Sequence, residues 1–525
     1  MRSPVAALLA AGVLLTVSCS SSSVDVARSE TIATQDTGPD TGPDTSSGAT
    51  TTVADVDDST TTSAPPIDFD FTIEWTGEIE PGIEQGYLEV PRDYSDPSKG
   101  TFRLSIVRHL ADPDDRIGSL LVNPGGPGFG GSVLALVADR VYGDDVLRSF
   151  DIIGWDPRGT GLSEPAVDCF DDYDRFFAGT DITPDDDSER QQLVDLAQEL
   201  AESCVARSGD ILPYIGTNNS ARDMDAIRQA LGEDTISYFG FSYGSELGAV
   251  WATLFPDTVR AAVLDGAADP EATLDEGGIQ QAEGFETAIN TFLARCSDDA
   301  DCPFHNGGDA EAAFDELMLA LDDQPIPTEP GRPDLTRGMA LTGVAYAMYD
   351  DASWGDLEWA LQEASRGDGS GLLALYDGYM QRQPDGTYDN SLEAFQAISC
   401  MDDASRPTVE EDDAAVAAYR AVAPRFAPNT AGGYFCTFFP PSIDPRIDVT
   451  GIDAGPILVM GTTGDPATPL SSTEAMADAL EDGRLVVVTA DQHTGYGVNP
   501  CSVSVIDDFL VDPVGAAPAD GTRCD

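Results

Sequence analysis

Short apolar runs that alternate with helical patterns restrict the fold of this sequence more than any other feature. The runs are "GSLLVNPG" (118–125), "FDIIGWD" (150–156), "TISYFGFS" (235–242) and "AAVLDG" (261–266). Runs of this length, bounded by turn residues, are typical of strands buried on both faces of a parallel sheet. Helical patterns such as "ERQQLVDLAQELAESC" and "SELGAVWATLF" lie between them. The alternation predicts an α/β fold, with "FRLSIVRHL" as an early, half-buried edge strand.

The pattern changes in the middle of the chain. Residues 268–451 contain helical segments and no run of the buried-strand kind, whereas "GPILVMG" and "RLVVVTAD" in residues 452–525 again predict strands. Because these last strands need the earlier ones as pairing partners, the middle segment is predicted to be a helical lid inserted between two strands of one sheet. The core is then predicted to comprise residues 67–267 and 452–525.

The N-terminus has the features of an export signal. Arg2 precedes an apolar run, from Val5 to Val17, that is too short to span a bilayer. The small residue before Cys19 resembles the end of a bacterial lipoprotein signal, so residues 1–18 are predicted to be a signal peptide and Cys19 to carry a lipid. Secretion with cleavage nearby is the alternative. Residues 19–66 are rich in Ser, Thr, Asp and Pro, which predicts a disordered tether.

The charge balance restricts the partners. Lys and Arg number 27 against 93 Asp and Glu, which gives a net charge of -66. This excess repels phosphate backbones and anionic lipids, so nucleic acid is not an expected partner and the membrane is expected only through a lipid at Cys19. The same excess raises the local concentration of cationic groups, including peptide α-amines.

Eight cysteines remain when Cys19 is set aside, and an even number in an exported chain predicts disulfides. They are Cys169, Cys204, Cys296, Cys302, Cys400, Cys436, Cys501 and Cys524. Pairing of nearest neighbours would give four bridges, although the sequence leaves other pairings open. No CxxC pair or Cys/His cluster occurs, so a zinc site is not expected. No other metal and no organic cofactor is expected either.

The stretch "ISYFGFSYGSELGA" has the pattern of a nucleophile elbow. Ser242 stands between Gly240 and Gly244, after a strand pattern and before a helical one. In such an elbow the chain turns sharply, and the flanking glycines remove side chains that would collide at the turn. Ser242 is therefore predicted to be a catalytic nucleophile.

A serine nucleophile needs a base and an acid that orients the base. His493 follows the last apolar strand and opens a loop, where the histidine of an α/β hydrolase belongs, whereas His109 and His305 are interpreted as surface or packing residues. Asp465 follows the preceding strand, so it is predicted to orient His493. Asp491 is the alternative acid.

The acyl-transfer site also needs hydrogen-bond donors for the oxyanion. "LLVNPGGPGFGGS" (120–132) follows an early strand and lacks the ending of a phosphate-binding loop. One donor is assigned to the backbone N–H of Gly126, with Gly125 as the alternative. The other is assigned to Tyr243, the residue after the nucleophile.

Together these residues resemble the secreted tripeptidyl aminopeptidases of actinobacteria, a branch of the prolyl-aminopeptidase-like α/β hydrolases. The matching stretches are "GYLEVPRDYSDP", "LLVNPGGPGFGGS", "FDIIGWDPRGTGLSEP", "GFSYGSELGAVWATLFPDTVRAAVLDGAADP", "AISCMDD", "ILVMGTTGDPATPL" and the closing "DQHTGYGVNPC" to "GTRC". They extend from about Tyr87 to the end of the chain. The resemblance implies an α/β-hydrolase fold and the same roles for Ser242, Asp465 and His493.

The resemblance also implies cleavage of short segments from free peptide N-termini. Such an enzyme needs a carboxylate for the substrate ammonium, and Asp402 and Glu246 are the candidates. Glu246 stands where relatives often carry an aromatic residue, and Phe129 and Gly130 stand where they often carry Gly and Ser. These departures leave the cleavage length and residue preference open.

Three functions are therefore considered. The expected one is an exported serine peptidase, anchored on the outer side of the membrane through Cys19 or secreted, that acts on peptides with free N-termini. An esterase or lipase of the same fold would use the same machinery. A non-catalytic, tethered peptide-binding lipoprotein would suit the signal and tether, but it would not require the elbow, Asp465 and His493 to occur in this order.

Overall fold

A computed structural model describes residues 69–178, 182–184 and 186–525. The predicted signal peptide, the tether to residue 66 and Cys19 lie outside the described residues. No helix of the described part is long and apolar enough to cross a membrane. The described cysteines form four disulfides that join nearest neighbours, as expected: Cys169–Cys204, Cys296–Cys302, Cys400–Cys436 and Cys501–Cys524.

The described part of the chain forms a sheet of ten strands in the order β1-β2-β3-β5-β4-β6-β7-β8-β9-β10. The strands are β1 (Ile73–Glu80), β2 (Ile83–Pro91), β3 (Thr101–His109), β4 (Gly118–Asn123), β5 (Phe150–Trp155), β6 (Ile236–Phe241), β7 (Val259–Asp265), β8 (Ile457–Thr462), β9 (Gly483–Val488) and β10 (Thr522–Cys524). From β5 to β10 all neighbours are parallel, whereas β1, β2, β3 and β5 pair antiparallel.

The predicted central strands are buried on both faces. Every residue of β5, β6 and β8 is buried, as expected for parallel strands that are covered by helices. Alternate side chains enter different apolar clusters, with Tyr238 in one and Phe239 in the other. The sheet therefore separates two cores, which fixes its register.

The prediction of an edge strand at "FRLSIVRHL" was wrong. This segment is β3, which lies inside the sheet between β2 and β5. Two additional strands, β1 and β2, extend the sheet beyond it. Their sequences carry many charged residues and have exposed positions, so the apolar-run criterion did not detect them.

Sixteen α-helices are formed by the described residues. They are α1 (Ser132–Leu136), α2 (Ala138–Val141), α3 (Asp144–Ser149), α4 (Asp187–Ser208), α5 (Thr217–Leu231), α6 (Tyr243–Leu254), α7 (Leu274–Asp298), α8 (Ala310–Asp323), α9 (Arg337–Met348), α10 (Trp354–Ala364), α11 (Ser370–Tyr379), α12 (Ser391–Asp402), α13 (Val409–Val422), α14 (Ala427–Thr430), α15 (Leu470–Ala479) and α16 (Pro500–Val511).

Helices α7 to α14 all lie between β7 and β8, in a segment that the structure describes completely. Since β7 and β8 pair directly, this segment is an insertion between adjacent strands of one sheet. It has an apolar cluster of its own, in which Phe292, Phe314 and Leu341 are buried. The helical insertion predicted from the sequence is therefore present.

Candidate active site

The chain turns sharply at Ser242, between the end of β6 and the start of α6. Ser242 has φ 54° and ψ −126°, a region that residues other than glycine rarely occupy. A Cβ atom at Gly240 would collide with the carbonyl oxygen of Gly244, so the turn requires glycine there. The backbone N–H of Ser242 donates to the carbonyl of Asp265 at 2.8 Å, which ties the turn to β7. This is the geometry of a nucleophile elbow.

Asp465 and His493 lie in contact, as the sequence predicted. His493 Nδ1 is 2.8 Å from Asp465 Oδ1 and 2.9 Å from Oδ2, and both side chains are buried. The backbone N–H groups of Ala467 and Thr468 also donate to Asp465 Oδ1, at 3.0 and 2.8 Å. These bonds hold the carboxylate in one orientation toward the imidazole. The other ring nitrogen, Nε2, is buried and has no hydrogen-bond partner in the described part of the chain.

The other candidate residues lie elsewhere. Asp491 forms an ion pair with Arg295, so its carboxylate is engaged away from the imidazole. His109 ends β3 at a half-buried position, and His305 lies in the turn after Cys302.

A residue of the insertion, Tyr349, contacts His493. The backbone N–H of His493 donates to the carbonyl of Tyr349 at 2.9 Å. The two rings pack edge to face with their centroids 5.4 Å apart. The insertion thus helps to hold the loop that carries His493. No sequence motif indicated this contact.

The glycine-rich loop after β4 lies against the elbow. A Cβ atom at Gly125 would be 2.8 Å from Ser242 Cβ and 3.3 Å from the Tyr243 nitrogen. The N–H of Gly125 donates to Asn123 Oδ1 at 2.9 Å. Within the described residues, the N–H groups of Gly126 and Tyr243 donate to no acceptor. These two are therefore the donors that remain available beside Ser242, which favours Gly126 over Gly125.

A cavity of about 470 Å³ opens beside Ser242 between the sheet and the insertion. Gly126, Ser242 and Tyr243 line one part of its wall. Both predicted ammonium-binding residues, Asp402 and Glu246, also line it. Asp269, Asp403 and Arg446, which the sequence reasoning did not single out, complete the charged part of the wall. Asp269 and Asp403 lie in stretches that match the family, but no sequence pattern gives them a role, and Arg446 lies in no such stretch.

The two predicted carboxylates have different surroundings. Glu246 Oε1 lies 2.5 Å from the Nε of Arg446, so its charge is paired. Asp402 accepts bonds of 2.6 Å from the backbone N–H and the hydroxyl of Thr217. Burial raises the pKa of Asp402 to about 7, and the nearby charge of Glu246 adds to the shift. Asp402 is thus a carboxyl of the cavity wall whose charged form would be stabilised by a cation additional to Arg446.

Among the described residues, no group of three or more histidine, cysteine, aspartate or glutamate side chains is arranged to hold a metal ion. The charged residues of the cavity are therefore interpreted through their hydrogen bonds and ion pairs alone.

Two segments of the chain match known families. Residues 118–306 match a family described as alpha/beta hydrolase fold, and residues 423–524 match one described as TAP-like protein. The first segment contains Ser242, and the second contains Asp465 and His493.

Three relatives align with most of the chain. Serine protease Hip1 of Mycobacterium tuberculosis is 35% identical over 484 residues, which are 86% of this chain and 91% of that protein. Carboxylesterase B of the same species is 37% identical over 459 residues, 83% of this chain and 85% of that protein. Tripeptidyl aminopeptidase of Streptomyces lividans is 30% identical over 449 residues, 82% and 81% of the two chains. The chain therefore belongs to the tripeptidyl aminopeptidase family of α/β-hydrolase serine peptidases and is a serine peptidase.

Proposed function

We propose that this protein is an exported peptidase that removes short peptides, of the tripeptidyl type, or single residues from free N-termini through an acyl-enzyme. The observation that carries the proposal is the cavity beside Ser242, whose wall contains the carboxylates of Asp402 and Glu246. A buried ammonium must be paired with an acceptor, and an endopeptidase or an esterase has no need of such a group. The name of the Streptomyces relative, tripeptidyl aminopeptidase, agrees with this proposal, and the name of serine protease Hip1 agrees with a serine peptidase.

In the proposed mechanism Ser242 attacks the scissile carbonyl while His493 takes its proton. Asp465 holds the imidazole in the tautomer that leaves Nε2 free to accept, and it stabilises the imidazolium that forms. The contact of Asp465 with Nδ1 and the unpartnered Nε2 support these roles. The proton then passes from His493 to the leaving amine, and water hydrolyses the acyl-enzyme by the same steps in reverse order.

The negative charge on the carbonyl oxygen is stabilised by the N–H groups of Gly126 and Tyr243. Backbone donors that are already in position lose little free energy to reorganisation during the reaction. Two observations support this assignment. In the described part of the chain neither N–H group donates to an acceptor, and the glycine-rich loop after β4 lies against Ser242.

Asp402 binds the substrate ammonium, and Glu246 contributes less because Arg446 pairs with it. A cation beside Asp402 would reverse the rise in its pKa, so ammonium binding and ionisation of this carboxyl favour each other. The residues of the insertion that enclose the cavity admit only the ends of peptide chains.

An esterase of the same fold is the second candidate, because Carboxylesterase B is among the similar proteins. The triad and oxyanion donors would serve esters equally well. Four carboxyl groups and one guanidinium line the cavity, namely Glu246, Asp269, Asp402, Asp403 and Arg446. This wall suits a cationic chain end better than an uncharged acyl chain. A non-catalytic binding protein would have no use for the strained backbone at Ser242.

We further propose that the mature protein lies outside the cytoplasm, with a lipid at Cys19 as its only attachment to the membrane. Four disulfides in the described part are typical of proteins from oxidising compartments.

The substrate class is tested with purified protein that lacks residues 1–66, on peptide amides with free and acetylated N-termini and on short-chain esters. We expect release of product from free but not acetylated peptides, and loss of this activity in Ser242→Ala by about 10⁴-fold or more. Ester turnover without peptide turnover would move the assignment to esterase. Undiminished activity of Ser242→Ala would contradict the nucleophile itself.

A further inference from the structure

A second buried carboxylate, Asp265, contacts the loop that carries His493. Asp265 is the last residue of β7 and is completely buried. Its Oδ1 accepts from the N–H of Gly495 at 2.7 Å and its Oδ2 from the N–H of Tyr496 at 2.8 Å. Both donors belong to the chain immediately after His493. In the described part, Asp265 has no ion pair with a lysine or arginine.

The backbone around Asp265 also contacts the segments that carry Ser242 and Asp465. Its carbonyl oxygen accepts from the N–H of Ser242 at 2.8 Å. The next residue, Gly266, donates its N–H to the carbonyl of Met460 in β8, the strand that leads to Asp465. A Cβ atom at Gly266 would be 2.9 Å from His493 Cε1, so the imidazole packs directly on this backbone. One residue therefore links the segments of nucleophile, base and orienting acid.

We propose that Asp265 is a positioning residue, whose carboxyl group holds the His493 loop in register with Ser242. The proposal rests on the proposed function, because it assumes that Ser242 and His493 react. An Asp265 side chain that only completed the packing of the core would not need two oxygens that accept from two N–H groups of one loop.

The charge of Asp265 responds to its surroundings. The charged groups that face it are His493 and Asp465, and the N–H groups of Gly495 and Tyr496 complete its contacts. Burial raises the pKa of Asp265 to about 7, the two backbone bonds and His493 oppose the rise, and Asp465 adds to it.

The test is Asp265→Asn, which keeps the size of the side chain but leaves one of the two N–H groups without an acceptor. We expect kcat to fall by roughly 10- to 100-fold, the loss that displacement of a reacting group causes. KM should stay unchanged, because Asp265 is not part of the cavity wall.

Asp507→Asn is the matched control. Asp507 is also a buried acid at this loop, but it accepts from the side-chain hydroxyl of Tyr496 rather than from the backbone. We expect this variant to keep the kcat and the KM of the wild type. An equal loss of kcat in both variants would assign the effect to the packing of Tyr496 and overturn the proposal. If Asp265→Asn does not fold, the smaller Asp265→Ser, which keeps one acceptor, is measured in its place.

Labelling with a fluorophosphonate separates this proposal from the proposed function, because the reaction needs the nucleophile and its base but no particular peptide. Wild-type protein that is not labelled at Ser242 would contradict the proposed function. Wild-type protein that is labelled, together with Asp265→Asn that is labelled at the same rate, would overturn only the role of Asp265. The expected result is labelling of both, with the variant slower by the same factor as its kcat.

Discussion

At the scale of single residues, the strained backbone at Ser242 is the feature that identifies the candidate nucleophile. The sequence pattern around Ser242 predicted a sharp turn, and the structure has the unusual φ of 54° there. His493 and Asp465 were predicted from their order along the chain, and they lie in contact. The pattern carries this information because strand ends in a parallel sheet converge on one edge, so chain order alone predicts which side chains meet.

Arg446 and Asp265 show what the sequence could not predict at this scale. Arg446 belongs to a segment without a motif, and its partner Glu246 is distant in the chain. Asp265 ends a strand that was recognised, but its carboxylate is one of 93 acidic side chains, and only the folded loop shows which acid lies beneath His493.

Asp402→Asn tests the ammonium site. The amide loses the negative charge but keeps the size, so KM for peptides with free N-termini should rise by roughly 10- to 100-fold, the range of a hydrogen bond to a charged group. Turnover of an ester without an amino group should not change. Steady-state kinetics on such a substrate pair gives both values. Asp403→Asn is the matched control, since Asp403 lines the same cavity but accepts from Leu274 and Ser405. A rise of KM in the control alone would assign the ammonium to Asp403.

Among the elements, the parallel strands were predicted well and the antiparallel ones were not. Strands β5, β6 and β8 are continuous buried runs, which the apolar pattern detects directly. β1 and β2 carry polar and exposed residues and give no such signal, so the sequence predicted the edge of the sheet at β3. Pairing partners of half-exposed strands depend on contacts that are distant in sequence.

Helix α12 of the insertion connects the core segment before β6 with the wall of the cavity. Near its start, the Glu393 carboxylate accepts from the hydroxyl of Tyr173 and the N–H of Cys169, both in the core segment before β6. At its end lies Asp402, in the cavity wall. The anchoring of the helix at Glu393 thus helps to set the distance between Asp402 and Ser242. The sequence predicted the helix but not this anchor.

At the scale of the whole molecule, the buried acids predict how stability depends on pH. Burial raises the pKa of Asp265, Glu393 and Asp402 to about 7 and that of Asp507 to about 6. The folded chain therefore holds protons on these groups between about pH 4 and 7, where the unfolded chain has released them. The free energy of unfolding should fall as the pH rises through this window.

The measurement is the thermal midpoint at constant ionic strength from pH 5 to pH 8, and we expect the higher midpoint at pH 5. Repulsion within a chain of net charge -66 acts in the same direction, but salt screens it at the surface more than for buried groups. The fall of the thermal midpoint with rising pH should therefore persist at high salt, and it should be smaller in Asp507→Asn. A midpoint that rises from pH 5 to pH 8 would contradict the assignment of these acids.

The central claim is that Ser242 forms a covalent acyl-enzyme with the N-terminal part of a peptide that has a free amino end. The most direct measurement is the mass of the protein, and of its peptide that contains Ser242. Both are measured after rapid acid quenching during turnover of a tripeptide ester with a free N-terminal amino group. We predict an added mass equal to the tripeptidyl group on Ser242, much less of it with the N-acetylated ester, and none in Ser242→Ala. Turnover without an adduct on Ser242, or an adduct that forms equally with the acetylated ester, would contradict the account.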